Sequence, residues 1–177
     1  MKLSRLAALL LIVVALWRIF AAPMVTKIVV SKFERRLTAY GPDGSVVASY
    51  PVIFGRAPLG TKEREGDLRT PEGEYYVCFK NPKSQFHLSL GLSYPNLADA
   101  DRGLASGAIS HAEYTEIVEA GRAGRIPPWK TALGGEIFIH GEMNDRPGTA
   151  GCVAVSNDAM EALFPEVALG TPVVIEP

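Results

Sequence analysis

Several things are scarce in this 177-residue chain, and each scarcity removes a class of protein. Two cysteines cannot staple a disulfide-rich scaffold, and three histidines with scattered carboxylates leave little material for a structural zinc site. Excess charge is scarce too. Eighteen basic against 19 acidic side chains give a net −1, without the basic stripe that nucleic-acid binding needs. No internal repeat and no low-complexity linker interrupts the sequence. With 47% hydrophobic and 21% charged residues it is neither a disordered chain nor a polytopic membrane protein. What it has in excess is punctuation: 17 glycines and 13 prolines favour many turns and short strands over a helical bundle. The length fits one domain, or one domain plus a targeting segment.

The N-terminus has the layout of an address. Lys2 and Arg5 precede an unbroken apolar run from Leu6 to Trp17, the basic-then-apolar order of an export signal. As a helix that run would reach roughly 18 Å, short of the ~30 Å hydrocarbon core. Arg18 interrupts it, and Ile19 to Val25 is apolar again. Residues 1–25 therefore fit a cleaved signal peptide or an uncleaved membrane anchor. Ala21 and Ala22 suit cleavage, whereas Phe20 does not. Removing residues 1–22 leaves 15 basic and 19 acidic side chains, a mildly acidic part carrying −4. The expected location is outside the cytoplasm: the periplasm or the outer face of the cytoplasmic membrane.

Residues 26–177 read as short strands with one helical insert. Lys27–Ser31, Arg36–Tyr40 and Ser45–Val52 follow the β pattern, the last two separated by the turn residues Gly41-Pro42-Asp43-Gly44. Gly55–Thr70 is polar and glycine-containing, a long loop, before a strand at Glu74–Phe79. Gln85–Leu90 alternates Phe86, Leu88 and Leu90 against His87 and Ser89, a half-buried strand. Then the period changes. Ser110-His111-Ala112-Glu113 fits a capping box, and Tyr114, Ile117, Val118 and Gly121 follow at helical spacing. Strands at Glu136–His140, Cys152–Val155 and Thr171–Ile175, with a short helix at Asp158–Phe164, complete a mainly-β domain with an inserted helix.

The chemistry concentrates between His140 and Asn157. A histidine ends one strand, a cysteine begins the next, and eleven mostly small or polar residues join them. A thiol of ordinary pKa is only a few per cent thiolate at neutral pH, so it becomes a nucleophile when an imidazole takes its proton. Two adjacent strand ends can bring His140 to Cys152. Gly151, just before the cysteine, would let backbone N–H groups approach a reacting carbonyl. Other readings of Cys152 are a buried inert thiol or a disulfide with Cys78. Cys78 lies inside Glu74–Phe79, where a core thiol is the default. His87 reads as a packing or hydrogen-bonding residue, and His111 as a solvated one.

The residues from 26 to 177 resemble the L,D-transpeptidase catalytic domain (YkuD-type) of bacterial peptidoglycan enzymes. The resemblance rests on Lys27-Ile28-Val29-Val30, Arg36-Leu37, Gly55-Arg56-Ala57-Pro58-Leu59-Gly60 and Ser93-Tyr94-Pro95-Asn96. It rests above all on Gly66-Asp67-Leu68-Arg69-Thr70-Pro71-Glu72-Gly73-Glu74-Tyr75 and on Ile137-Phe138-Ile139-His140-Gly141 followed by Gly151-Cys152 and Asn157. The family's usual Ser/Thr-His-Gly-Cys is Thr149-Ala150-Gly151-Cys152 here, and its common arginine two residues after the cysteine is Ala154. Both changes resemble a subgroup that lacks the second histidine. The resemblance implies a β-sandwich-like fold, Cys152 as nucleophile and His140 as general base and later acid. The Gly141 carbonyl would orient the imidazole, and the N–H groups of Gly151 and Cys152 would form an oxyanion hole. Arg56, Lys62 and Arg69 are expected to meet substrate carboxylates, with a solvated polar loop as the other reading. The implied substrate is the tetrapeptide stem of peptidoglycan. The cysteine attacks the L-centre carbonyl of diaminopimelate and releases D-Ala, and a second amine resolves the thioester to give a cross-link or an attached cell-envelope protein. If water resolves it, the same site is a carboxypeptidase or amidase. A non-catalytic stem-binding module is the competing class. No metal or other cofactor is implied.

Overall fold

The computed structural model describes residues 24–143 and 147–177. The export signal expected over Lys2–Trp17 lies outside the described residues. Two hairpins come first. In β1 (Lys27–Ser31) and β2 (Arg36–Tyr40), Ile28, Val30, Leu37 and Ala39 alternate inward and are fully buried, the period-two pattern of a strand with one covered face. The turn into β3 (Val46–Pro51) is held by Asp43, whose Oδ1 accepts from the Ser45 N–H at 3.0 Å and its hydroxyl at 2.7 Å.

The remaining elements are β4 (Gly73–Ser84), β5 (His87–Leu92), α1 (Leu97–Ala105), α2 (His111–Arg122), β6 (Phe138–His140), β7 (Val153–Ala154), α3 (Asn157–Glu166) and β8 (Pro172–Glu176). They build one mainly-β unit around an eight-stranded sheet of order β3-β2-β1-β8-β4-β5-β6-β7. β8 returns to the middle, parallel to β1 and antiparallel to β4. The first half of β4 pairs with β8 and the second with β5, and the register slips at Cys78, between the pairs Val77↔Leu92 and Phe79↔Gly91. Such a bulge bends and twists a strand. The curled sheet brings its two edges together. The N–H of Ile53, just past β3, donates to the Ala154 carbonyl at 3.1 Å, and the Ala154 N–H returns the bond at 2.8 Å. Inside the curl Val77, Leu90, Ile139, Met160 and Ile175 join the β1–β2 residues in one core. Each such side chain stabilises by roughly 1.5–3 kcal/mol.

The insert between β5 and β6 holds two helices where one was expected. α2 starts at the expected Ser110–Glu113 capping box. The additional helix is α1. Its start is written in the chain, since Asn96 and Asp99 form a second reciprocal capping box. Ala100, Ile109, Ile117 and Leu133 make a small core between the two helices. β5 also differs: it begins at His87, and Ser89 to Leu92 is buried throughout rather than on alternate residues.

Candidate active site

β6 and β7 run parallel, with Ile139 opposite Val153 and His140 opposite Ala154. Cys152 therefore precedes β7 on the same face as His140, since side chains two residues apart share a face. The segment after β3 holds the cysteine from the other side. The Arg56 N–H donates to the Thr149 carbonyl at 3.1 Å, and the Thr149 N–H to the Phe54 carbonyl at 2.9 Å. Together with the Ile53–Ala154 pair, these bonds pin the chain on both sides of Cys152.

His140 is 5% exposed, with its Nδ1 2.5 Å from the Gly141 carbonyl oxygen. A carbonyl only accepts, so Nδ1 carries the proton and Nε2 is left with its lone pair. Phe86 stacks on the ring at 4.6 Å between centroids. Burial pushes the imidazole pKa below its ordinary value, outweighing the Gly141 bond and the Glu142 charge, which both favour the cation. Gly141 has no room for a side chain: a Cβ there would stand 2.5 Å from Asn157 Oδ1. That oxygen accepts from the Glu142 N–H at 2.8 Å and so fixes the turn below the histidine.

Cys152 and Cys78 are both free thiols. Burial pushes the Cys152 thiol above its ordinary value, and the Glu136 charge acts in the same direction. The Phe138 N–H and the Lys62 charge oppose them. The Cys152 Sγ lies 3.6 Å from the Glu136 carbonyl oxygen. Cys78, at the β4 bulge, is pushed up to about 11 by burial. These shifts favour a neutral imidazole at His140 and a neutral thiol at Cys152, two groups that line one cavity.

The expected donor at Gly151 needs correction. Its N–H donates to Thr149 Oγ1 at 3.0 Å, because Thr149 folds its hydroxyl back over the turn and donates in turn to the Cys152 carbonyl at 2.6 Å. Of the expected oxyanion pair, only the Cys152 N–H is left. Glycine is still required at 151: at φ +141°, a Cβ would lie 2.9 Å from the Arg69 carbonyl oxygen.

The Gly66–Tyr75 string is the scaffold behind this loop. Thr70, 1% exposed, donates its hydroxyl to the Gly151 carbonyl at 2.8 Å and accepts the Gly55 N–H at 3.0 Å. Asp67 gathers the N–H groups of Glu63, Arg64 and Arg69 and the Lys62 ammonium. Burial alone would raise its pKa, but these donors hold it below the ordinary carboxylate value. Glu72 pairs with the buried Lys32.

Two cavities meet at Cys152 and Ala150. One, of about 340 Å³, is lined by His140, Phe86, Arg56, Thr149 and Ala154 as well. The other, of about 730 Å³, is lined by Lys62, Glu65, Trp129, Lys130, Thr131 and Glu136 among others. The three expected cations thus part company. Arg56 is exposed in the His140 cavity. Lys62 is 4% exposed, with its ammonium 2.9 Å from Asp67 Oδ1. Arg69 lines neither cavity and reaches Glu63 Oε1 at 3.6 Å. Among the described residues no group of three His, Cys, Asp or Glu side chains could hold a metal ion.

Sequence reasoning passed over Phe86, Thr149 and the individual task of Thr70. Only the unbroken Thr-Pro-Glu-Gly string hinted at Thr70. Nothing local signals that Phe86, placed on a strand face, would cover an imidazole 54 positions later.

Comparison with known proteins points the same way. The model of the L,D-transpeptidase catalytic domain family (YkuD) matches residues 26–175. The Escherichia coli (strain K12) protein named "Putative L,D-transpeptidase YafK" is 32% identical over 77 residues, 41% of this chain and 31% of that one. The crystal structure of a point mutant of the helical cell shape determining protein Pgp2 from Campylobacter jejuni superposes with a TM-score of 0.60 at 25% identity. It covers 91% of this chain and 52% of that one. The structure of Bdellovibrio bacteriovorus Bd1075 gives 0.56 at 26% identity, covering 87% and 48%. The chain spans about half the length of these two solved relatives.

Proposed function

This chain belongs to the L,D-transpeptidase catalytic domain family, and from that membership and the site we propose that it is an exported peptidoglycan L,D-transpeptidase. In this reading Cys152 is the nucleophile, and the donor is the tetrapeptide stem, attacked at the diaminopimelate carbonyl. The observation that carries the reading is the single cavity shared by Cys152 and His140, with the imidazole tautomer set by the Gly141 carbonyl.

Nε2 of His140 takes the thiol proton as Sγ attacks, then passes it to the departing D-Ala amine. The Phe138 N–H and the Lys62 ammonium favour negative charge on the sulfur as it forms. The Cys152 N–H is the donor assigned to the oxyanion. An acceptor amine then attacks the thioester. Either a second stem or a cell-envelope protein supplies it. Water is the competing acceptor, favoured by Ala150 and Ala154, whose methyl groups line the cavity beside the thioester and do little to exclude it. A pure binding module would need neither His140 nor Cys152, so that reading is set aside. Among the described residues no helix is long and apolar enough to cross a membrane. We place export, and any anchor, in the N-terminal segment. The deciding experiment incubates the protein with purified muropeptides and reads product masses: D-Ala release with cross-linked or shortened stems supports the reading, and unchanged stems overturn it.

A further inference from the structure

The two cavities at Cys152 are not equivalent, and the chemistry says which takes what. In acylation the Sγ–C bond forms and the C–N bond to the last residue of the donor breaks, and the thiol proton passes through His140 to the leaving amine. In transfer a new C–N bond forms and the C–S bond breaks, and the attacking amine returns its proton through His140 to sulfur. Leaving and attacking groups therefore exchange protons with the same imidazole nitrogen. Exchange of the same amino acid is the exact reverse of acylation and uses the same place, and any other acceptor amine must reach that nitrogen and the thioester carbon from the same side. That place is the cavity of about 340 Å³, because His140 lines it and does not line the larger one.

Arg56 stands in that cavity, and its base is referenced to the nucleophile. Its N–H and the Phe54 carbonyl bond the main chain of Thr149 at 3.1 and 2.9 Å, three residues before Cys152. Gly148, at φ +143°, lies so close that a Cβ there would stand 3.1 Å from Arg56 Cγ. Lys62 and Arg69 have carboxylate partners. The Arg56 guanidinium has none among the described residues. Glu142, the one acidic side chain lining this cavity among the described residues, accepts from Asn157 Nδ2 at 3.2 Å. A guanidinium offers a planar fork that matches a carboxylate in a bidentate pair.

We propose that Arg56 reads the α-carboxylate of the amino acid that leaves the donor, and of the amino acid whose amine replaces it. The proposal rests on the transpeptidase reading above and deepens it. Donor and acceptor then present the same unit on this side of Cys152: an α-amino acid with a free carboxylate. A stem whose terminal carboxylate is amidated, or lies one residue further on, is a poor donor. An amine without a neighbouring carboxylate is a poor acceptor.

The test compares the full chain with its Arg56→Ala and Arg56→Lys variants on two donors, a diaminopimelate tetrapeptide ending in D-Ala and the same peptide ending in D-alaninamide. The unmodified chain should prefer the free carboxylate by about 10- to 100-fold in kcat/KM, the range of a charge-assisted hydrogen bond. Arg56→Ala should abolish the preference, bringing the acid-to-amide ratio of kcat/KM close to one, and Arg56→Lys should recover part of it. Exchange with D-alanine against D-alaninamide as acceptor should follow the same pattern. The side chain is exposed, so thermal midpoints should agree among the three proteins. A preference that survives Arg56→Ala, or no preference in the unmodified chain with turnover intact, overturns the role of Arg56 alone. No Cys152-dependent release from either donor overturns the transpeptidase reading, and this inference with it.

Discussion

Thr70 and Gly151, 81 residues apart in the chain, are joined by one buried hydrogen bond of 2.8 Å from the threonine hydroxyl to the glycine carbonyl. That carbonyl belongs to the peptide that delivers Cys152, and the same hydroxyl receives the Gly55 N–H from the strand extension beside Arg56. Thr70 is thus where the long loop, the Cys152 peptide and the Arg56 wall are held together. Thr70→Val keeps the shape but strands both partners. It should cost about 1–3 kcal/mol, the desolvation of an unpaired buried group. With the cysteine peptide released, kcat should fall roughly 10- to 100-fold. Calorimetry and steady-state turnover check the two effects, and an unchanged midpoint would remove Thr70 from this role.

Asp67 is the second fixed point. Its carboxylate is the partner of the buried Lys62 ammonium and of three backbone N–H groups, so Asp67→Ala leaves a buried cation unpaired. The expected loss is about 3–5 kcal/mol, the cost of breaking a buried pair from one side. Because the folded-state pKa is lowered, this stabilisation is present above the unfolded carboxylate value and is lost as pH falls through the folded one. Urea unfolding of Asp67→Ala against the unmodified chain at neutral and acid pH should show the gap closing in acid.

What was legible in the sequence follows from range. The alternating strands β1 and β2 and the Ser110 capping box are local signals, and they appear where the chain announces them. His140 and Cys152 were legible because two sequence neighbours, Gly141 and Gly151, mark the strand ends that carry them. The pairing of Gly151 with Thr149 was not legible, since an N–H of a glycine looks free until the turn around it closes. Nor could the fates of Arg56, Lys62 and Arg69 be separated by composition. One is open, one is buried against Asp67 and one lies outside both cavities, and only the fold of the Gly55–Thr70 loop decides this.

Export is a claim about residues 1–25 and has its own test. Protease added to spheroplasts should digest the domain if, as proposed, Lys2, Arg5 and the Leu6–Trp17 run act as an export signal. Full protection of residues 26–177 would refute that placement.

The two thiols should behave as different chemical species. Denatured protein without reductant should titrate two free thiols, in line with the unbridged pair. Cys152→Ala should abolish acylation by a thiol-reactive β-lactam and turnover of the tetrapeptide. Cys78→Ala should change stability by about a kcal/mol and leave the rate nearly intact, since Cys78 sits at the β4 bulge and lines neither cavity at Cys152. Turnover surviving in Cys152→Ala would end the enzyme reading at this site.

The pH profile tests the neutral pair. His140 works as a base only when unprotonated, and its burial beside Phe86 moves its pKa below the ordinary imidazole value of about 6.5. The acid limb of kcat/KM should therefore lie below pH ~6.5, with activity rising as pH increases through it. Burial raises the Cys152 thiol, so the alkaline limb should lie above the ordinary thiol value of about 8.5, leaving a broad plateau between the two. Phe86→Ala opens the imidazole to water and removes part of the desolvation that depresses it. The acid limb should then move up toward the ordinary value while the alkaline limb stays near its place. His140→Ala should remove the acid limb and lower the rate by about 10²- to 10⁴-fold, the range a positioned base contributes. A profile whose acid limb is unmoved in Phe86→Ala would show that stacking does not set the basicity of His140. An acid limb retained in His140→Ala would assign the base to another residue.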